Sequence, residues 1–212
     1  MKRAHSHAWW RLSLIWGALL ALLCVPGTLW ANAENERAVR LRAGFIYNFC
    51  KFVTWPKNTL PSKDQPLRIA VDMSASDFEI FESTLEGKTV RGHPIEIVPF
   101  TAESLQDKLH IVYLCETPDE QLEGALSALN GKAVLTIGDP ERFNQAGGVI
   151  QFLTSNSKLR YRINLAAKDD ELEFSAKLLQ LAIVYEPTSM RWDEPGLMYA
   201  AATPDHGFGH RH

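Results

Sequence analysis

Large apolar residues recur at Leu41, Phe45, Phe49 and Phe52, an i, i+4, i+8, i+11 spacing that keeps them on one side of a 3.6-residue helix. Ile46, Cys50 and Val53 widen that arc, and Arg40, Tyr47, Asn48, Lys51 and Thr54 occupy the other side. Pro56 cannot continue a helix and pushes Trp55 away from helical angles, so the predicted helix stops there. An aromatic-rich helix of this length is expected to dock on a large body.

Downstream, apolar runs of strand length alternate with helical patterns. Strands are predicted over 67–73, 95–100, 110–115 and 133–137. The run at 110–115, HIVYLC, is nearly continuous, as in a sheet covered on both faces. Helices are predicted over 76–85, with Phe78, Phe81 and Leu85 inward and Gly87 as its stop, and over 117–130, with Leu122, Leu126 and Leu129 inward. Residues 57–65 read as a loop, 92–94 as a turn, and Thr101 as the cap of a short helix. This alternation argues for a parallel sheet with right-handed crossovers.

The pattern then changes. Strands predicted over 149–153 and 158–165 are separated by four residues, a connection that allows only an antiparallel hairpin. In the second strand Leu159, Tyr161, Ile163 and Leu165 alternate with Lys158, Arg160, Arg162 and Asn164, so one face is buried and the other wet. A final helix is predicted over 171–185, with Leu172, Leu179 and Ala182 inside. The expected fold is α/β: three layers, a mostly parallel sheet with a C-terminal antiparallel hairpin, and helices on both faces.

Composition narrows the setting. With 212 residues and 46% apolar content, the chain can build one domain with a real core. Lys2, Arg3 and Arg11 precede the apolar run 12–25, then Pro26-Gly27 and the small-x-small site Ala31-Asn32-Ala33. That is the anatomy of a secretory signal peptide over 1–33, the run being short for a membrane anchor. Losing those three cations takes the net charge from −3 to −6. A mildly acidic chain without a basic stripe is not expected to bind nucleic acid. Export permits a disulfide between Cys50 and Cys115. Their places, one in the helix arc and one at a strand end, favour two separately buried thiols.

Candidate chemistry is sparse. Between the signal segment and the tail the only histidines are His93 and His110, and no nucleophile elbow, phosphate loop or dinucleotide fingerprint is present. Asp72 and Asp139 fall at carboxyl ends of predicted strands, the edge where open α/β sheets bind ligands. They lack the lysine and acidic pair of a receiver-like pocket, and read as loop caps. Gly138, Gly147 and Gly148 read as positions needing unusual backbone angles. The tail 187–212 is rich in Pro and Gly and expected to be mobile. Its His206, His210 and His212 lack a carboxylate or thiolate partner at fixed spacing, so neither a metal nor a cofactor is expected. Tyr47, Lys51 and Trp55 have the aromatic-basic composition of a contact patch, with Asn48 beside them; docking of the helix accounts for Trp55 equally well. Arg160 and Arg162 either pair with Asp169, Asp170 or Glu171 or meet an acidic partner.

Ala43, Tyr47, Asn48, Phe49, Lys51, Phe52, Trp55 and Pro56 together resemble the opening helix of the YfiR family of small periplasmic proteins. Ile137-Gly138-Asp139, Phe143, Gly147-Gly148, Ile150, Arg160, Asn164 and the 175–182 segment resemble that family's C-terminal signature, with Pro140 as a departure. The resemblance covers nearly all of a domain spanning 34–186. It implies a non-enzymatic periplasmic regulator that binds and restrains the periplasmic part of an inner-membrane diguanylate cyclase, so controlling cyclic-di-GMP and biofilm formation; a homodimer is also compatible with it. The contact residues expected on this reading are Tyr47, Asn48, Lys51, Trp55, Arg160 and Arg162. The alternative is a periplasmic small-ligand-binding sensory module whose site is the crevice near Asp72 and Asp139.

Overall fold

The computed structural model describes residues 26–59, 62, 64–156 and 158–185. The expected tail and residues 1–25 of the expected signal segment lie outside them. Helix α1 spans Pro26–Phe52. Pro26 is the first described residue of this helix, a place where its missing N–H costs nothing. The helix ends before Trp55, because Val53–Thr54 (β1) leaves it to pair antiparallel with Glu173–Phe174 (β9).

The buried stripe of α1 is also turned relative to the expected one. Val39, Ala43, Ile46, Phe49, Cys50 and Val53 are buried, Phe45 and Phe52 are half-buried, and Leu41 is 50% exposed. The aromatic spacing set the predicted phase, whereas the small residues Ala43 and Cys50 let the backbone approach the sheet. Phe45 and Phe49 still reach it: their rings meet Phe152 and Tyr161 at centroid distances of 4.9–6.2 Å. Such pairs add to the area they bury.

The remaining elements are β2 (Leu67–Asp72), α2 (Ala75–Leu85), β3 (Thr89–Val90), β4 (His93–Pro99), β5 (Ile111–Leu114), α3 (Asp119–Ser127), β6 (Leu135–Gly138), β7 (Ile150–Ser155), β8 (Lys158–Ile163), α4 (Ala176–Gln180) and β10 (Ile183–Val184). The main sheet has the order β10-β8-β7-β6-β5-β2-β4-β3. Strands β4, β2, β5, β6 and β7 are mutually parallel, and β7 and β8 form the antiparallel hairpin. Helices α1 and α2 cover one face with the larger core; α3, the 104–106 turn and Phe143 cover the other. The three-layer α/β reading therefore holds. The parallel strands reverse their direction of winding between β2 and β5, which places a topological switch point at the carboxyl ends of those strands.

Three local expectations fail. Thr89–Val90 forms a hairpin with the start of β4, turning at Arg91-Gly92 and not at 92–94; both residues have positive φ, as a primed turn demands. Alternation in the 158–165 strand stops at Ile163, so Asn164 is buried at 6% and Leu165 is 42% exposed. Asn164 instead starts the 165–167 turn by accepting from the Ala166 N–H. The expected last helix breaks into β9, α4 and β10. Ser175 caps α4 only five residues long, and Ile183-Val184, well suited to a strand, pairs parallel with β8. Leu178 takes the buried place expected of Leu179.

Candidate functional site

At the switch point α1 reaches over the carboxyl edge of the sheet. Arg42 Nε donates to both carboxylate oxygens of Asp139, at 3.0 and 3.2 Å. The Tyr113 hydroxyl, from the middle of β5, donates to the same carboxylate. Burial pulls the Arg42 guanidinium pKa down, but Asp139 outweighs it and leaves it raised. Burial first, then the Asp139 charge, lifts the Tyr113 phenol well above its ordinary range. Asp72 accepts from the Thr117 hydroxyl. Glu116 accepts from the Ser74 N–H at 2.9 Å, and Asn35 donates to Asp77 at 2.8 Å, tying α1 to α2. A cavity of about 300 Å³ lies beside the Arg42–Asp139 pair, walled by Arg42, Met73, Phe81, Tyr113, Cys115 and Asp139; Asp72 and Thr117 are not in its wall.

The two acidic groups singled out by their strand-end positions are thus both present at this edge, and both are engaged in internal bonds. The arginine that closes the site is not visible in the aromatic spacing of α1, which sets a different helix phase. With Val39 and Ala43 recognised as buried, Arg42 falls beside them, and a cation on that flank must find a counter-charge.

The thiols do not meet. Cys50 and Cys115 are both free. Burial first pushes each up to about 12, with Asp139, Glu116 and Asp72 adding to the effect at Cys115. Among the described residues no three His, Cys, Asp or Glu side chains converge to hold a metal ion, and no helix is long and apolar enough to cross a membrane.

The six residues expected at a partner contact divide into three groups. Trp55 is 6% exposed and its indole N–H donates to the His110 carbonyl at 3.1 Å, so it is part of the core. Tyr47, Asn48 and Lys51 share the outer side of α1. The Lys51 ammonium sits 3.8 Å from the Tyr47 ring centroid, and the Tyr47 hydroxyl donates to Thr89 O at 3.3 Å. Asn48 and Lys51 are exposed. Arg160 and Arg162 alternate with Tyr161, whose ring packs on Phe45 and Phe49, so they stand on the sheet face away from α1. The ion pairs among the described residues include neither arginine. Asp169, one expected partner, accepts from the backbone N–H groups of Ala133 and Glu171 instead.

Gly138 and Gly148 serve a purpose the sequence reading missed. Of the three glycines singled out, only Gly147 has a positive φ, at 97°. The other two flank the buried Phe143 ring, and a Cβ on either would collide with it.

No curated protein matches the sequence. The model of a domain family described as YfiR/HmsC-like (DUF4154) matches residues 39–183. The match opens at Val39, the first buried residue of α1 among those described, and closes in β10, so it coincides with the packed body of the fold. The chain belongs to the YfiR/HmsC-like family.

Proposed function

We propose that this protein is a periplasmic regulator that acts by binding another protein and carries out no chemistry of its own. Its partner on this reading is the periplasmic part of an inner-membrane diguanylate cyclase, held in an inactive form. The observation that carries the reading is the family match over the whole packed body. Two structural features support it. The acidic groups at the ligand-binding edge of the sheet are occupied by Arg42, Tyr113 and Thr117. On α1 the exposed polar side chains of Asn48 and Lys51 stand beside half-buried Tyr47, whose ring supports the Lys51 ammonium. Export is compatible with the helix: residues 32–37 of α1 are exposed, and its buried stripe among the described residues begins at Val39.

Restraint of this kind is a population shift. The regulator must bind the inactive form of the cyclase more tightly than the active one, and moving an equilibrium from 1:99 to 99:1 takes about 5.5 kcal/mol of difference. The test is co-purification from solubilised membranes together with the cellular cyclic-di-GMP level after deletion. Capture of a cyclase and a rise in cyclic-di-GMP are expected; an unchanged level overturns the reading.

A second reading is favoured by the cavity beside Arg42 and Asp139, which lies where doubly wound sheets bind small molecules. On that reading the protein is a sensory module. A thermal-shift screen with small metabolites separates the two, a saturable rise in Tm abolished by Arg42→Ala being the mark of the second.

A further inference from the structure

Three cations from three separate elements gather at the C-terminal end of α1. Lys51 lies in the last turn of the helix. Lys88 precedes β3, and its ammonium lies 5.9 Å from the same Tyr47 ring centroid that Lys51 approaches. The two ammonium groups therefore stand within one Debye length of each other, about 10 Å at 0.1 M salt. Arg91, at the β3–β4 turn, donates to Thr54 Oγ1 at 3.2 Å and to the Lys51 carbonyl at 3.4 Å, which holds its guanidinium at the same helix end. All three side chains are exposed, and no ion pair among the described residues includes them.

Each cation has an ordinary explanation when taken singly. A lysine suits a helix C-terminus, where the dipole is negative, and Arg91 caps a helix carbonyl. The combination is less ordinary. Arg91 holds φ at 53°, the first position of a turn that Asn or Gly fills with less strain. The chain thus keeps a guanidinium where the backbone disfavours one, beside two like charges, on a protein that is acidic overall. Half-buried Tyr47 and exposed Asn48 give the patch a firm aromatic and amide floor.

We infer that Tyr47, Lys51, Lys88 and Arg91 form a docking surface for an acidic segment of a partner protein. This deepens the partner-binding reading of the outer face of α1 and rests on it. Carboxylates laid across the patch relieve the mutual repulsion of the three cations, and Arg91 has donors left over for a charge-assisted bond. A protein partner fits better than a bilayer. Of the large exposed apolar side chains among the described residues, Leu165, Leu181, Ile183 and Val184 belong to the segments around β8 and β10, and Leu41 lies ten residues up the helix from Lys51, so none of these stands within the patch to insert into lipid.

The test uses the protein purified from a periplasmic extract and fluorescein-labelled poly-L-glutamate, with anisotropy as readout. Binding is expected to weaken as salt is raised, and to weaken about tenfold in Lys51→Glu/Lys88→Glu/Arg91→Glu. Lys108→Glu/Arg142→Glu, two exposed cations that flank Leu109 and Phe143 of the other core, is expected to leave it unchanged. If the triple variant is poorly folded by circular dichroism, Lys51→Gln/Lys88→Gln serves in its place, with about a threefold loss expected. Equal affinity in the patch variant and the wild type overturns the inference, as does equal loss from both faces. Binding to phosphatidylglycerol vesicles without binding to poly-L-glutamate overturns it in favour of a membrane. The cyclase reading is judged separately by capture from membranes, so either can fail while the other stands.

Discussion

Arg42 Nε and Asp139 Oδ1 stand 3.0 Å apart and join the first helix to the loop after β6. Both side chains are about a quarter exposed, so solvent screens part of their attraction. Arg42→Ala leaves Asp139 with only the Tyr113 hydroxyl, and a loss of about 1–2 kcal/mol in urea unfolding is expected, between the values for exposed and buried pairs. Asp139→Ala removes the counter-charge of Arg42, leaving it only the Ala38 carbonyl, and the acceptor of Tyr113, and is expected to cost more. A double-mutant cycle showing no coupling between the two sites would contradict the clamp.

Trp55 belongs to the core, and its variants should read as packing changes. Trp55→Phe keeps an aromatic ring and drops the bond to the His110 carbonyl, with a loss of about 1 kcal/mol expected. Trp55→Ala is expected to cost about 3–5 kcal/mol. Partner affinity per folded molecule, measured by biolayer interferometry on the Phe variant, should stay at the wild-type value.

His110 sets part of the acid response. The Arg68 N–H donates to its Nδ1 and its Nε2–H donates to Thr59 O, an arrangement that fixes the neutral ring. Burial first, then the positive charges of His93, Arg68 and Lys108, lowers its pKa below the ordinary 6.5, the Thr59 bond opposing. The unfolded chain therefore takes up a proton before the folded one does. The contribution of this site is fully present above pH 6.5 and is lost as pH falls through that value toward the folded pKa. Unfolding free energy measured between neutral and mildly acid pH should decline, and His110→Gln should flatten the decline.

Phe143 tolerates no methyl on either flank. Gly148→Ala, at a position of ordinary φ, is expected to destabilise by about 1–3 kcal/mol through overpacking alone. Combining it with Phe143→Leu should recover part of the loss. An additive result in calorimetry would show that the glycine matters for another reason.

Neither thiol should behave as a reactive cysteine. At pH 8 both Cys50 and Cys115 are protonated, since each titrates near 12. Labelling by an aromatic disulfide reagent should be slow in the native protein and fast in denaturant, and a reductant should leave Tm unchanged.

Strand positions were the most legible part of the chain. Long apolar runs such as 110–115 admit little else, and the short connection at 154–157 forced a hairpin. Phase and end effects were harder to read. In α1 the bulky aromatics pointed to one stripe, while the helix docks through Ala43, Ile46 and Cys50, small enough to bring it close. The last segment carried a helical period as good as any, yet Ser175 and the β-branched pair Ile183-Val184 divided it, because an open edge of β8 was available to pair with. Of the candidate contact residues, Tyr47, Asn48 and Lys51 could be placed together because they are one turn apart. Lys88 and Arg91 could not, since only the tertiary fold brings the β3–β4 turn to the helix end.

The pairing of Val53 with Phe174 ties the opening of the domain to its closing stretch. Contacts between such distant parts of a polypeptide form late. A ribosome or a translocation channel that has released only the first two-thirds of the chain therefore holds something that cannot yet lock. The first helix therefore gains its strand partner only once residues 173–174 have been made.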